Sequence, residues 1–172
     1  MTGKIRVAVI DDSHFFRKTI ISALSFDPDI EIVGQGADGT ELLGLLGTAQ
    51  PDVITLDLIM PGRDGLWALE EVMRKRPTPI VIFSAIAEQG SEIVERAFRL
   101  GVVDVLQKPQ SQAQILGLKL ELVQRIKGAA RVDRQKLIDF YVSGNSRVPP
   151  KFVSNPHASQ VVVLCASAGG PV

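Results

Sequence analysis

Short apolar runs alternating with helical patterns constrain this chain more than any other feature of its sequence. The runs are IRVAVI (5–10), IEIVGQG (30–36), DVITLD (52–57), PIVIFSA (79–85) and VVDVLQ (102–107). Most are nearly continuous in apolar residues, which is how parallel strands covered on both faces read. Between and after them lie SHFFRKTIISALSF (13–26), DGTELLGLLGTA (38–49), DGLWALEEVMRKR (64–76), QGSEIVERAFRLG (89–101) and SQAQILGLKLELVQRIKG (111–128). In the first of these, Phe15, Phe16, Thr19, Ile20, Ala23 and Leu24 share one helical face behind Ser13, which suits an N-cap. Asp38 opens the second helix and Gly101 closes the fourth. Such alternation with short connections predicts a single α/β domain over residues 1–128. Its core is a doubly wound, parallel, five-stranded sheet with helices on both faces.

After Gly128 the pattern changes. AARVDRQKLIDFYV (129–142) reads as a charged amphipathic helix or an extension of the last one. SGNSRVPPKFVSNPHAS (143–159) is rich in Ser, Asn and Pro without periodicity, so residues 129–159 read as an interdomain linker with a helix in it. QVVVLCASAGGPV (160–172) then reads as a strand running into a small-residue turn that carries Ser167. Many hydrolases present a nucleophilic serine on such a turn. The expectation is the first strand of a second domain whose remainder this chain lacks.

Composition excludes several classes of function. Lys plus Arg and Asp plus Glu both number 19, so no global basic field points to nucleic acid. No apolar stretch reaches the ~20 residues of a membrane span, and the start MTGKIRVAVIDD lacks a signal-peptide core. The lone Cys165 excludes an internal disulfide and fits a reducing cytoplasm.

In an open parallel sheet, chemistry sits beyond the carboxyl ends of the strands. Asp11 and Asp12 follow the first strand, Asp57 the third, Ser84 the fourth and Lys108 the fifth. If the first and third strands are neighbours, three carboxylates converge. Two carboxylates ~4 Å apart repel by about 4 kcal/mol at an effective dielectric of ~20, so the cluster calls for a cation or raised pKa values. An all-oxygen donor set at a phosphate-handling site favours Mg²⁺. A carboxylate beside Mg²⁺, with a lysine and a hydroxyl nearby, is equipped to accept a phosphoryl group as an acyl phosphate.

These residues as a set, DD (11–12), LDLIMPGRDG (56–65), Ser84 in IFSA and Lys108 in QKP, resemble the receiver domain of two-component response regulators over residues ~5–125. The resemblance implies a flavodoxin-like strand order 2-1-3-4-5, the order for which a chemotaxis receiver is a standard example. It implies that Asp57 is the phosphoacceptor for a histidine kinase. Asp12, Asp57 and the backbone carbonyl of Ile59 would ligate Mg²⁺, with Asp11 acting mostly through water. Ser84 would be the switch hydroxyl, and Lys108 the partner lysine, with a cis Lys108–Pro109 bond typical of the family. One departure is Val105, where receivers usually carry Tyr or Phe; an aromatic toggle cannot operate there.

The detail of residues 51–109 is similar to the receiver of chemotaxis protein-glutamate methylesterases, in which a linker joins the receiver to an esterase domain. VVVLCASAGGP resembles the start of that esterase, with Ser167 as nucleophile and Gly169 and Gly170 allowing backbone to approach the ester; Cys165 replaces the family's glycine. A catalytic serine needs a base and an orienting acid, which in the family lie later in the esterase. His14 and His157 do not match that pattern, so no esterase activity is expected of these 172 residues. In the parent, the unphosphorylated receiver would cover the esterase site and phosphorylation would release it to act on chemoreceptors. The expectation is a cytoplasmic monomer or weak dimer. The alternative is a stand-alone receiver that regulates another partner by protein contact. The segment after residue 128 is too short for a helix-turn-helix output domain. An aspartate-nucleophile phosphatase would want an acid where Ile59 stands. GQGADG (34–39) matches a dinucleotide-binding pattern, but it follows the second strand rather than the first, so a turn and helix start is the simpler reading.

Overall fold

A computed structural model of the protein describes residues 3–62, 64–85 and 91–142. Chain order is β1 (Ile5–Ile10), α1 (His14–Leu24), β2 (Ile30–Gly36), α2 (Gly39–Thr48), β3 (Val53–Leu56), α3 (Gly65–Lys75), β4 (Ile80–Ser84), α4 (Glu92–Arg99), β5 (Asp104–Gln107), α5 (Gln112–Ala129) and α6 (Arg134–Val142). The strands form one sheet in the order β2-β1-β3-β4-β5. Every pairing is parallel, with Ile10 beside Leu56 at the carboxyl end and Ser84 beside Gln107. The expected fold is therefore the observed one, and β1 and β3 are neighbours.

Each sheet face has its own core. On one face Ala8, Ile10, Ile54, Leu56 and Ile82 pack against Leu42 and Leu46 of α2, Leu69 and Val72 of α3, and Val94 and Ala97 of α4. On the other, Val7, Val9, Val53, Val81 and Phe83 pack against Ile20 and Leu24 of α1 and Leu118, Leu122 and Ile126 of α5. Apolar side chains on both sides of each strand explain why the runs are continuous rather than alternating.

Helix starts follow the caps expected from sequence. Ser13 Oγ accepts from the Phe16 N–H (3.4 Å), and Asp38 Oδ1 accepts from the N–H groups of Thr40 and Glu41 (2.7 and 2.9 Å). Gly101 follows α4 at φ +100, a conformation that glycine adopts without a Cβ penalty. The GQGADG pattern has a packing explanation. A Cβ on Gly34 would lie 2.5 Å from Leu45 Cδ2, and one on Gly39 would lie 3.0 Å from Ala68 Cβ. These glycines let α2 and α3 close on the sheet edge.

Two expectations change, and of the two readings left open for residues 129–142 the separate helix is the observed one. Phe15 does not share the buried face of α1; it is 58% exposed, while Ile20, Ala23 and Leu24 are buried. Phe15 and Phe16 are adjacent on the helix, about 100° apart, and only Phe16 turns toward the sheet. No cis peptide bond occurs among the described residues, so Lys108–Pro109 is trans. Lys108 is aimed inward all the same, its backbone N–H bonded to Ser84 O at 3.0 Å. The segment after α5 forms a separate helix, α6, packed on the domain. Leu137 is buried in the α1/α5 core, and Arg134 donates to Pro51 O at 3.0 Å. Residues 143–172, which hold the linker sequence, His157, the expected terminal strand, Cys165, Ser167, Gly169 and Gly170, lie outside the described residues. Among the described residues no helix is long and apolar enough to cross a membrane.

Candidate functional site

The site grows from strand ends. β1 ends at Ile10, and Asp11 follows with its N–H donating to Gly36 O of β2 (3.1 Å). β3 ends at Leu56, and the Asp57 N–H donates to Ile10 O (2.9 Å). Sheet hydrogen bonding thus carries past the last strand residues and fixes both aspartates side by side. Asp11 is fully buried and Asp57 is 3% exposed.

Asp57 is held at both oxygens. Oδ1 accepts from Ser84 Oγ–H (2.8 Å) and from the Ile59 N–H (3.1 Å). Oδ2 meets the Lys108 ammonium in a very short contact. Lys108, 7% exposed, also pairs with Asp11 Oδ2 at 2.8 Å. Asp11 Oδ1 accepts from the Ser13 N–H (2.9 Å), which ties the acid to the start of α1. Arg17 clamps the same loop from below: its guanidinium donates to the carbonyls of Asp11 (2.5 Å) and Asp12 (3.2 Å). Asp12 is exposed at the rim.

Carboxylate oxygens of Asp11, Asp12 and Asp57 lie within 4.8 Å of one another. Three carboxylates against one ammonium leave an excess of negative charge in a largely dry site. Asp11 Oδ2 is buried and, beyond its ion pair with Lys108, makes no aligned hydrogen bond. An oxygen-only donor set with surplus charge and an unsaturated oxygen fits a hard divalent cation such as Mg²⁺.

Burial pushes the Asp11 carboxyl above its ordinary 3.8; the Lys108 ammonium opposes that rise and the Asp57 carboxylate adds to it. A carboxyl raised on folding binds its proton more tightly in the native state. Its contribution to stability is therefore present at acid pH and is lost as pH climbs from near 3.8 through the raised native value. Asp11→Asn should then stabilise the metal-free protein at pH 7 and flatten its pH dependence. Urea denaturation in EDTA between pH 4 and 8 checks this; a variant less stable than the parent at pH 7 contradicts it.

The residues named from sequence thus gather at one carboxyl edge: Asp11, Asp12, Asp57, Ser84 and Lys108 converge, with Ile59 bound to Asp57 through its N–H. Ser167 lies outside the described residues. Val105 packs, half-buried, against the α2–α4 core, so no ring is present to swing there. Sequence reasoning did not single out Arg17 for the site. Its only signal was a cation near the N-terminus of α1, where the helix dipole disfavours one, and Lys18 beside it carries the same signal.

A model of the response regulator receiver domain matches residues 7–118. The chain belongs to that family. Among solved structures, the receiver is similar to the response regulator domain of Thermotoga maritima CheB, at 36% identity and a TM-score of 0.71, covering 76% of this chain and 98% of that one. It is also similar to the signal receiver domain of the putative response regulator NarL from Mycobacterium tuberculosis, at 33% identity and a TM-score of 0.59, covering 71% and 98%. A curated relative is the protein-glutamate methylesterase/protein-glutamine glutaminase of Pyrococcus abyssi, 38% identical over 179 residues that span 99% of this chain and 48% of the relative. A Caulobacter vibrioides protein of the same name is 44% identical over 129 residues, 75% of this chain and 38% of the relative. The chain spans about half the length of the curated full-length relatives it matches. This receiver is therefore homologous to the N-terminal regulatory part of those methylesterases.

Proposed function

We propose that the chain is a phosphoacceptor module charged at Asp57 by a histidine kinase, and that its state controls a methylesterase domain in a longer parent. The observation that carries this is the Asp57 carboxylate, buried yet held at both oxygens by Ser84, Ile59 and Lys108 and facing Asp11 and Asp12. In the transfer, an Asp57 oxygen attacks the phosphorus of the kinase's phosphohistidine. The P–N bond breaks, the imidazole leaves with its electron pair, and Asp57 becomes an acyl phosphate. Lys108 supplies a fixed positive charge beside the oxygens that gain negative charge. Ser84 offers a hydroxyl donor at the same edge, so it can follow a phosphoryl oxygen. Asp12, Asp57 and the Ile59 carbonyl would hold Mg²⁺, with Asp11 beside it; when bound, the ion neutralises charge on the phosphoryl group. The partner is a protein rather than nucleic acid, since charges balance and the site is a small acidic pocket.

The test is phosphoryl uptake from acetyl phosphate with and without Mg²⁺, read by intact mass. The expected result is one adduct that depends on Mg²⁺, and an absent adduct in the unmodified chain overturns the reading.

The methylesterase part rests on the relatives' names and on Ser167 in CASAGGP. A serine without base and oxyanion hole loses most of its catalysis. This 172-residue chain should release no methanol from methylated chemoreceptors, whereas a full-length parent should, and Ser167→Ala should abolish that activity. Turnover by the short chain, or by a full-length Ser167→Ala variant, would show the nucleophile to be elsewhere.

A further inference from the structure

We infer that Phe16 is a positioning residue for Lys108. This rests on the phosphoacceptor reading above and adds to it a residue from outside the polar cluster. An ammonium has three N–H donors. Two of those on Lys108 face carboxylate oxygens, of Asp57 and Asp11. Among the described residues no third oxygen accepts from it. What lies on that side is the Phe16 ring, with Lys108 Nζ 4.7 Å from the ring centroid. That is within the ~6 Å over which a ring face attracts a cation, and the attraction strengthens where water is excluded. Lys108 is only 7% exposed.

The ring is itself braced. It meets Phe83 edge-on at 5.9 Å between centroids and Phe15 at 5.3 Å. Phe83 is fully buried on β4, directly before Ser84. Ser13 caps α1 through the Phe16 N–H, and the Ser13 N–H binds Asp11. One turn therefore orients the acid, starts the helix and sets the ring. The ring walls the ammonium against the two carboxylates. When a phosphoryl group arrives on Asp57, Lys108 can shift only along the pocket, toward the new oxygens, and not outward to water. A lysine side chain otherwise has the rotamer freedom to leave.

The effect is separable from packing. Phe16→Leu keeps an apolar group on the helix but removes the π face, and Phe16→Tyr keeps the face. Phosphorylation by acetyl phosphate with Mg²⁺ should slow roughly three- to tenfold in Phe16→Leu and stay near the parent's rate in Phe16→Tyr. The spectroscopic signature is independent of any variant. In the unmodified protein the ε-methylene protons of Lys108 should resonate upfield through the ring current of Phe16, and should return toward the ordinary lysine position in Phe16→Leu. An unshifted ε-methylene in the parent overturns the inference whatever the variants do. So does a Phe16→Leu protein phosphorylated at the parent's rate, or a Phe16→Tyr protein slowed as much as Phe16→Leu. Failure of the unmodified protein to take up any phosphoryl group would instead count against the phosphoacceptor reading.

Discussion

Asp57→Asn will take up no phosphoryl group from acetyl phosphate or from a histidine kinase, while remaining folded. The loss is all-or-none because an amide oxygen lacks the charge and nucleophilicity of a carboxylate, and no other acid occupies the same place. Asp11 is tied down by Ser13 and Lys108, and Asp12 sits exposed at the rim. The fold survives because the amide oxygen still accepts from Ser84 and Ile59, and Lys108 keeps its pair with Asp11 at 2.8 Å. Removing one of three carboxylates should also weaken Mg²⁺ binding, readable by titration. An adduct that persists in the variant would place the acceptor on another residue.

Gly65→Ala will be the most destabilising single-methyl change near the site. A Cβ there would lie 2.1 Å from Asp57 O and 2.5 Å from Leu58 Cα, both backbone atoms that cannot rotate away. Gly65 is where α3 begins, and its N–H donates to Leu58 O at 3.1 Å. Accommodating the methyl means moving either α3 or the segment that aims Asp57. Such overpacking costs about 3 kcal/mol or more. For a chain of this size that lowers Tm by roughly 6–12 °C. Gly44→Ala is the control: its added methyl would meet nothing within 4 Å on the exposed side of α2, so it should be neutral or slightly stabilising. Thermal melts of the two variants decide the matter, and a Gly65→Ala protein as stable as the parent would refute the steric account.

The same glycine shows where sequence reading stops. DG (64–65) reads as a helix start, and Asp64 does cap α3, accepting from the Trp67 N–H at 2.8 Å. Capping is local, so it is visible in sequence. That Gly65 touches the carbonyl of the phosphoacceptor depends on how α3 seats on the sheet, and no local pattern carries it. Phe15 and Phe16 show the same limit. Both fit an apolar stripe, yet the stripe is wider than the contact the sheet offers, and only packing separates the exposed ring from the one beside Lys108. The glycines of GQGADG share a spacing with nucleotide-binding loops; the side chains of Leu45 and Ala68, which approach them, give that spacing its meaning here.

By itself the sequence determined the strands, the helices, their caps and the carboxyl-end position of Asp11, Asp12, Asp57, Ser84 and Lys108. These follow from hydrophobic period and short-range hydrogen bonding, which act over a few residues. The strand order was legible only through family resemblance, since periodicity does not say which strands pair. Tertiary structure alone decided the rest. It set Lys108 between Asp11 and Asp57, the latter 51 residues away in the chain, and laid the Phe16 ring over it. It docked α6 against Pro51 and kept the Lys108–Pro109 bond trans. The reason is that a buried charge is held by whichever groups the packed sheet brings within a few ångströms, and that distance is set by the closing of strands and helices on one another, not by spacing along the chain.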